Sequence, residues 1–128
     1  MEYFKKAEAD LSALFAEVKL EGAFRVAIDN IKDFIIVTDD NGAIIFMNKA
    51  LLSALGYSLS ELKYKPFMGL LVERDIERTM EAFGKSKSEG RITEFTNHYT
   101  RKDGSELAIL WRDSFSVDGI TFGIAEEA

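Results

Sequence analysis

The segment FIIVTDDNGAIIFMNKALLSALGYSLSEL, Phe34 to Leu62, leaves this chain few folds to choose from, because strands, turn and helix caps follow one another with almost no loop. Phe34–Thr38 and Ala43–Met47 are β-branched and aromatic-rich runs of strand length. Between them lies Asp39-Asp40-Asn41-Gly42, and Asn-Gly favours a two-residue type I′ hairpin turn, whose central residues both need positive φ. Asn48 follows the second run directly, where its side-chain oxygen can cap a helix over Lys49–Leu55. Gly56 is suited to end that helix, and Ser58 with Glu61 makes a capping box for the next. Local signals that agree this closely point to one architecture.

A length of 128 residues suits one domain with a single core of ordinary size. Hydrophobic residues at 47% and charged residues at 30% fit a soluble globular protein. No apolar run approaches the ~18 residues of a membrane span, so no transmembrane span is expected, and the net charge of −6 disfavours an anionic membrane surface. The opening MEYFKKAEAD lacks the apolar core of a signal peptide. The absence of cysteine excludes a disulfide, a thiol nucleophile and a thiolate metal site, and cytoplasmic residence is the simplest expectation. A net charge of −6 with scattered Lys and Arg lacks the basic stripe of a nucleic-acid binder.

Residues 1–21 read as a separate amphipathic helix, with Phe4, Ala7, Leu11, Leu14 and Val18 on a seam of alternating three- and four-residue spacings. The seam either lies on the chain's own sheet or also pairs with its copy in a homodimer; residues 22–128 form the main domain. A shorter helix is expected over Ala23–Ile31. Beyond Leu62 the pattern predicts a helical turn at Phe67–Val72. A helix over Glu73–Ser86 follows, with Ile76, Met80 and Phe83 on one face, and then a polar exit, Lys85 to Gly90. Three strands end the chain: Arg91–Thr100, Ser105–Ser116 and Ile120–Ala125. They are joined by turns at Arg101-Lys102-Asp103-Gly104 and Val117-Asp118-Gly119. The class is α+β, an antiparallel sheet with helices gathered on one face and the N-terminal helix as the natural cover for the other.

This order of elements resembles a PAS domain from about Phe24 to Ala125. The likeness rests on Ala27-Ile28-Asp29, Thr38-Asp39 with Gly42, Asn48-Lys49-Ala50, Gly56-Tyr57-Ser58 with Glu61-Leu62, and Arg101-Lys102-Asp103-Gly104-Ser105. The resemblance implies five antiparallel strands in the spatial order 2-1-5-4-3. It also implies a sensor and dimerisation module of a larger regulatory protein, of histidine kinase or diguanylate cyclase type, rather than an enzyme. Asp39 and Asn48 then serve as turn and cap residues. One departure is the end, Gly123-Ile124-Ala125-Glu126-Glu127-Ala128, where such domains often carry an Asp-Ile-Thr-like segment.

The family's covalent chromophores need a cysteine, so a flavin adduct, a thioester chromophore and c-type haem are excluded. Helix Glu73–Ser86 carries no axial histidine for haem, and His98 is expected to point outward from its strand. Strand alternation groups Phe95, Asn97 and Tyr99 on the inner face. On the next strand it groups Leu107, Ile109, Trp111, Asp113 and Phe115 there. An ionised Asp113 among those apolar groups needs a partner, since burying it unpaired costs several kcal/mol. Either it meets solvent, a backbone N–H or an arginine such as Arg74 or Arg78, or it helps line a pocket. The candidate ligand-binding set is Met80, Phe83, Phe95, Asn97, Tyr99, Ile109, Trp111 and Asp113; no catalytic or metal-ligating set is found. The cofactor is left unknown. A non-covalent small molecule or flavin is compatible with Trp111 and Asn97, but no Gly-rich phosphate loop supports a flavin nucleotide. Two roles compete: small-molecule sensing, and a ligand-free protein–protein interaction module with a packed core.

Overall fold

A computed structural model describes Gly22 and residues 26–128, excepting the side chains of 92 and 93. The seam Phe4, Ala7, Leu11, Leu14 and Val18 lies outside the described residues, as do the first three residues of the helix expected over Ala23–Ile31; residues 26–29 of it are helical. Among the described residues, strands β1 (Phe34–Asp39), β2 (Ile44–Met47), β3 (Arg91–Thr100), β4 (Glu106–Val117) and β5 (Ile120–Glu127) form one antiparallel sheet. Their spatial order is β2-β1-β5-β4-β3, as the resemblance implied. The last strand thus sits between the first and the fourth.

Helices α1 (Lys49–Leu55), α2 (Leu59–Leu62) and α3 (Ile76–Glu89), with 3-10 turns at Phe67–Leu70 and Glu73–Asp75, connect β2 to β3. The core lies between them and the sheet: Leu51, Leu55 and Leu62 meet Ile36, Ile44, Leu107 and Ile109. Each apolar side chain buried there contributes about 1.5–3 kcal/mol.

The caps form as the sequence implied. Asn48 Oδ1 accepts from the backbone N–H of Leu51 (3.3 Å) and of Ile35 (3.0 Å). Its Nδ2 donates to the carbonyls of Ile28 (3.1 Å) and Asp33 (2.8 Å), so one buried amide ties the entry segment, β1 and α1 together. Gly56 ends α1 with φ 85°, and Ser58 with Glu61 forms the capping box.

The first hairpin departs from the expected turn. Only Gly42 has positive φ, so Asp39–Ala43 is a three-residue loop rather than type I′. The cause is the Asp39 carboxylate, which accepts from the N–H groups of Asn41 and Ala43, both at 2.9 Å. A three-residue loop recurs at Arg101–Ser105, braced there from within by Asp103, which accepts from the Ser105 N–H, and Gly104 takes φ 90°. Asp118-Gly119, with φ 51° and 76°, is the true type I′ turn.

The long helix also shifts. The expected start at Glu73 is a 3-10 turn, α3 runs on to Glu89, and Gly90 closes it with φ 83°. Lys85 to Glu89, expected as a polar exit, are its last residues.

A bulge in β4 overturns the alternation expected there. Trp111 pairs with Ala125 and Asp113 with Ile124, so Arg112 is one residue too many for β5. Glu94, facing it on β3, has φ 51°. Beyond the bulge the faces exchange. Ser114 turns inward, while Asp113 and Phe115 turn to the outer face, where Phe115 stacks on Phe122 with ring centroids 5.3 Å apart.

Candidate functional site

A cavity of ≈60 Å³ opens between α3 and the inner face of the sheet. Thr79, Ala82 and Phe83 wall it from α3, and Phe67 closes one side. β1 supplies Ile36 and Thr38, and β5 supplies Thr121 and Gly123. Phe95, Asn97 and Tyr99 come from β3, and Trp111 and Ser114 from β4. No charged side chain is among the described residues that line it.

Sequence and close packing explain its shape. Phe67 meets Phe83 edge-on, with centroids 5.2 Å apart, and approaches Gly42 so closely that a Cβ there would lie 3.1 Å from the ring. Across the cavity the Trp111 indole lies on the β5 backbone. A Cβ on Gly123 would stand 2.8 Å from it, so only glycine lets the ring settle there.

The polar groups on the β3 side gather around the Asn97 amide. Trp111 Nε1 donates to Asn97 Oδ1 at 2.8 Å. Asn97 Nδ2 donates to Thr79 Oγ1 and to the Tyr99 hydroxyl, each at 3.2 Å. Burial pushes the Tyr99 phenol above its usual range, so it is a neutral hydrogen-bonding group. Asn97 therefore orients the indole, and its donors are fully engaged.

Towards β1 and β5 the lining is hydroxylic. Ser86 Oγ, wholly buried on α3, lies 3.3 Å from both Ser114 Oγ and Ser116 Oγ, and Ser116 lies 2.8 Å from Thr121 Oγ1. Thr38 Oγ1 is buried and finds no partner among the described residues.

Of the candidate ligand-binding set, Phe83, Phe95, Asn97, Tyr99 and Trp111 are brought together around the cavity. The other three are placed elsewhere. Met80 is 59% exposed, because Ile76, Thr79, Phe83 and Ser86 form the inward stripe of α3. Ile109 is sealed in the core. Asp113 sits past the bulge on the outer face and pairs with Arg91 at 3.0 and 2.6 Å. The arginines expected for it are engaged otherwise: Arg74 with Glu106, and Arg78 with Asp75 and the Thr96 carbonyl. Sequence reasoning missed Thr38, Thr79, Ser114 and Thr121. Thr79 was legible, standing three residues after Ile76 and four before Phe83.

His98 lies on the edge strand and is partly exposed, but it is not idle. Asp75 Oδ2 accepts from its backbone N–H at 2.7 Å and lies 2.8 Å from its ring Nδ1. Burial alone would push the Asp75 carboxyl up. The hydrogen bonds from His98 and Arg78 outweigh that and hold it below the usual carboxylate range.

An isoalloxazine ring does not fit ≈60 Å³, far below the ~300–1,000 Å³ of ordinary cofactor pockets. No cluster of three or more His, Asp or Glu side chains able to hold a metal ion occurs among the described residues. No helix among them is long and apolar enough to cross a membrane.

The family model described as "PAS fold" matches residues 22–117. Among solved structures, the chain is similar to the PAS domain of a protein from Colwellia psychrerythraea, at 25% identity and TM-score 0.73, over 85% of this chain and 97% of that one. A domain of the sensory box sensor histidine kinase/response regulator from Geobacter sulfurreducens aligns at 21% identity and TM-score 0.70, covering 84% and 94%. The PAS domain of an HTR-like protein from Haloarcula marismortui aligns at 22% identity and TM-score 0.70, covering 86% and 98%. No curated protein matches the chain.

Proposed function

Since the chain belongs to the PAS fold family, we propose that it is a small-molecule-sensing and dimerisation module of a larger regulatory protein, of histidine kinase or diguanylate cyclase type. The observation that carries this reading is the cavity's position beside the β4 bulge. Trp111 walls the cavity, and its neighbour Arg112, extruded to the other face, bonds Asp33 Oδ2 at 3.0 Å, just before β1. A change in the pose of the indole thus reaches the root of the N-terminal segment within one residue of chain. Occupancy of the cavity would favour one arrangement of that segment, a population shift.

The outer sheet face supports the dimerisation half. Val37, Phe115, Phe122 and Ile124 share it through cross-strand pairing, a surface suited to the seam of Phe4, Ala7, Leu11, Leu14 and Val18, in cis or from a second copy. Residues 1–21 then act as the transmitting unit and residues 22–128 as the sensor. The Geobacter neighbour, a domain of a sensory box sensor histidine kinase/response regulator, is consistent with such an output.

A second reading, a ligand-free interaction module, draws on the small volume and the internally satisfied Asn97. Native mass spectrometry of the protein from its own source separates the two. The sensing reading expects an added mass well below that of a flavin, with no visible absorption; a bare chain favours the module.

A further inference from the structure

We propose, resting on the sensing reading, that the cavity takes a small uncharged molecule bearing a hydroxyl or carbonyl group on a short apolar skeleton, recognised by Thr38 with Thr121 and Ser114. Three observations converge on this class.

The first is size. A volume of ≈60 Å³ holds about four to six bodies the size of a water, at ~10–15 Å³ each. That limits the occupant to a few non-hydrogen atoms.

The second is charge. The described lining holds neither a cation nor an anion. An ion entering would lose its hydration with no counter-charge to replace it, which disfavours it strongly against a neutral molecule of equal size. Asp75, four residues before the lining residue Thr79, is occupied by His98 and Arg78, and Glu77 and Glu81, which flank Thr79, do not line the cavity.

The third is the distribution of hydrogen-bonding capacity. On the β3 side the amide of Asn97 is engaged, so that end offers the aromatic faces of Tyr99, Trp111 and Phe95 to a skeleton. On the β1–β5 side stand the hydroxyls of Ser114 and Thr121, each bonded to one serine and able to make a further bond as donor or acceptor. Thr38 Oγ1 lies there, 97% buried by residue, without a partner among the described residues. A buried hydroxyl left unmatched is costly, and one lining a cavity is matched by whatever oxygen enters. The site is thus mainly aromatic at one end, where the Thr79 and Tyr99 hydroxyls already accept from Asn97, hydroxylic at the other, and uncharged throughout.

The test uses the full chain and its own reporter, because the protein has one tryptophan, Trp111, and it lines the cavity. Propylene glycol, propionate and xenon are titrated separately while Trp111 emission and backbone amide shifts are followed. Propylene glycol is expected to bind saturably, with propionate weaker by about tenfold or more. Thr38→Val should weaken propylene glycol about fivefold, leave xenon binding in place, and raise the thermal midpoint of the unliganded protein by removing an unmatched hydroxyl. Thr121→Val supplies a second variant should the first fail to fold.

Equal binding of propylene glycol and propionate, or undiminished propylene glycol binding by Thr38→Val, overturns the ligand class. Entry of xenon without propylene glycol overturns the class but leaves cavity sensing standing. If no probe perturbs Trp111, both readings fall.

Discussion

Asn97 is the residue on which the geometry of the cavity turns. Its amide is buried and bonded to Trp111, Thr79 and Tyr99 at once. Asn97→Ala would strand the indole N–H and leave a void, at a cost of about 2–4 kcal/mol. A urea midpoint lowered with unchanged slope, together with altered Trp111 emission, is the expected outcome; an unchanged emission maximum would show that the bond does not hold the ring. Gly123 acts from the opposite side by having no side chain. Gly123→Ala should push the indole off the β5 backbone and destabilise the protein by about 1–3 kcal/mol, the usual range for overpacking. Thermal denaturation followed at Trp111 reads both effects. The polarity of Asn97 and the apolar character of Trp111 were legible in the sequence. Their bond was not, since the two residues meet only when β3 and β4 pair.

At the scale of elements, the β4 bulge and the edge of β3 decide most. Up to Trp111 the expected alternation holds, and Leu107 and Ile109 are buried. One extra residue, Arg112, then sends Asp113 to the outer face and brings Ser114 to the cavity. A period of two has no memory of its phase across an insertion, so sequence alternation could not reveal it. The β3 edge is closed by the 3-10 turn before α3, where Asp75 accepts from the His98 N–H and the Val72 N–H donates to the His98 carbonyl.

Because the folded carboxyl of Asp75 lies below its ordinary value, the unfolded chain takes up the proton first on acidification. The stability this contributes is present at neutral pH and is lost as pH falls below about 4. Asp75→Asn should lower stability at pH 7 by about 1–3 kcal/mol and flatten the acid limb. Urea titrations across pH 3–7 check this, and an acid limb unchanged in the variant would remove Asp75 from the account.

For the whole molecule, the central question is how occupancy of an inner cavity reaches the outer face. The proposed route passes from Trp111 to Arg112 and Asp33, and then to the N-terminal seam. Leu11→Glu combined with Leu14→Glu should convert a dimer to a monomer in sedimentation velocity while the thermal unfolding of the domain is retained. An oligomeric state unaffected by both charges would sink the dimer-helix proposal.

What the sequence determined by itself was local: the strand runs, the cap at Asn48, the αL glycines, and the hairpins with their aspartates. These depend on residues a few positions apart, whose own geometry sets the outcome. Strand order came with the family resemblance, because no local signal says that the last strand inserts between the first and the fourth. The tertiary structure alone decided the composition of the cavity, for three reasons. The bulge at Arg112 reversed the inward face, α3 began a turn later than its acidic start suggested, and Gly123 made room for an indole from another strand. Each depends on the pairing of distant segments, where side-chain phase and volume are settled by the neighbour rather than by the chain's own pattern.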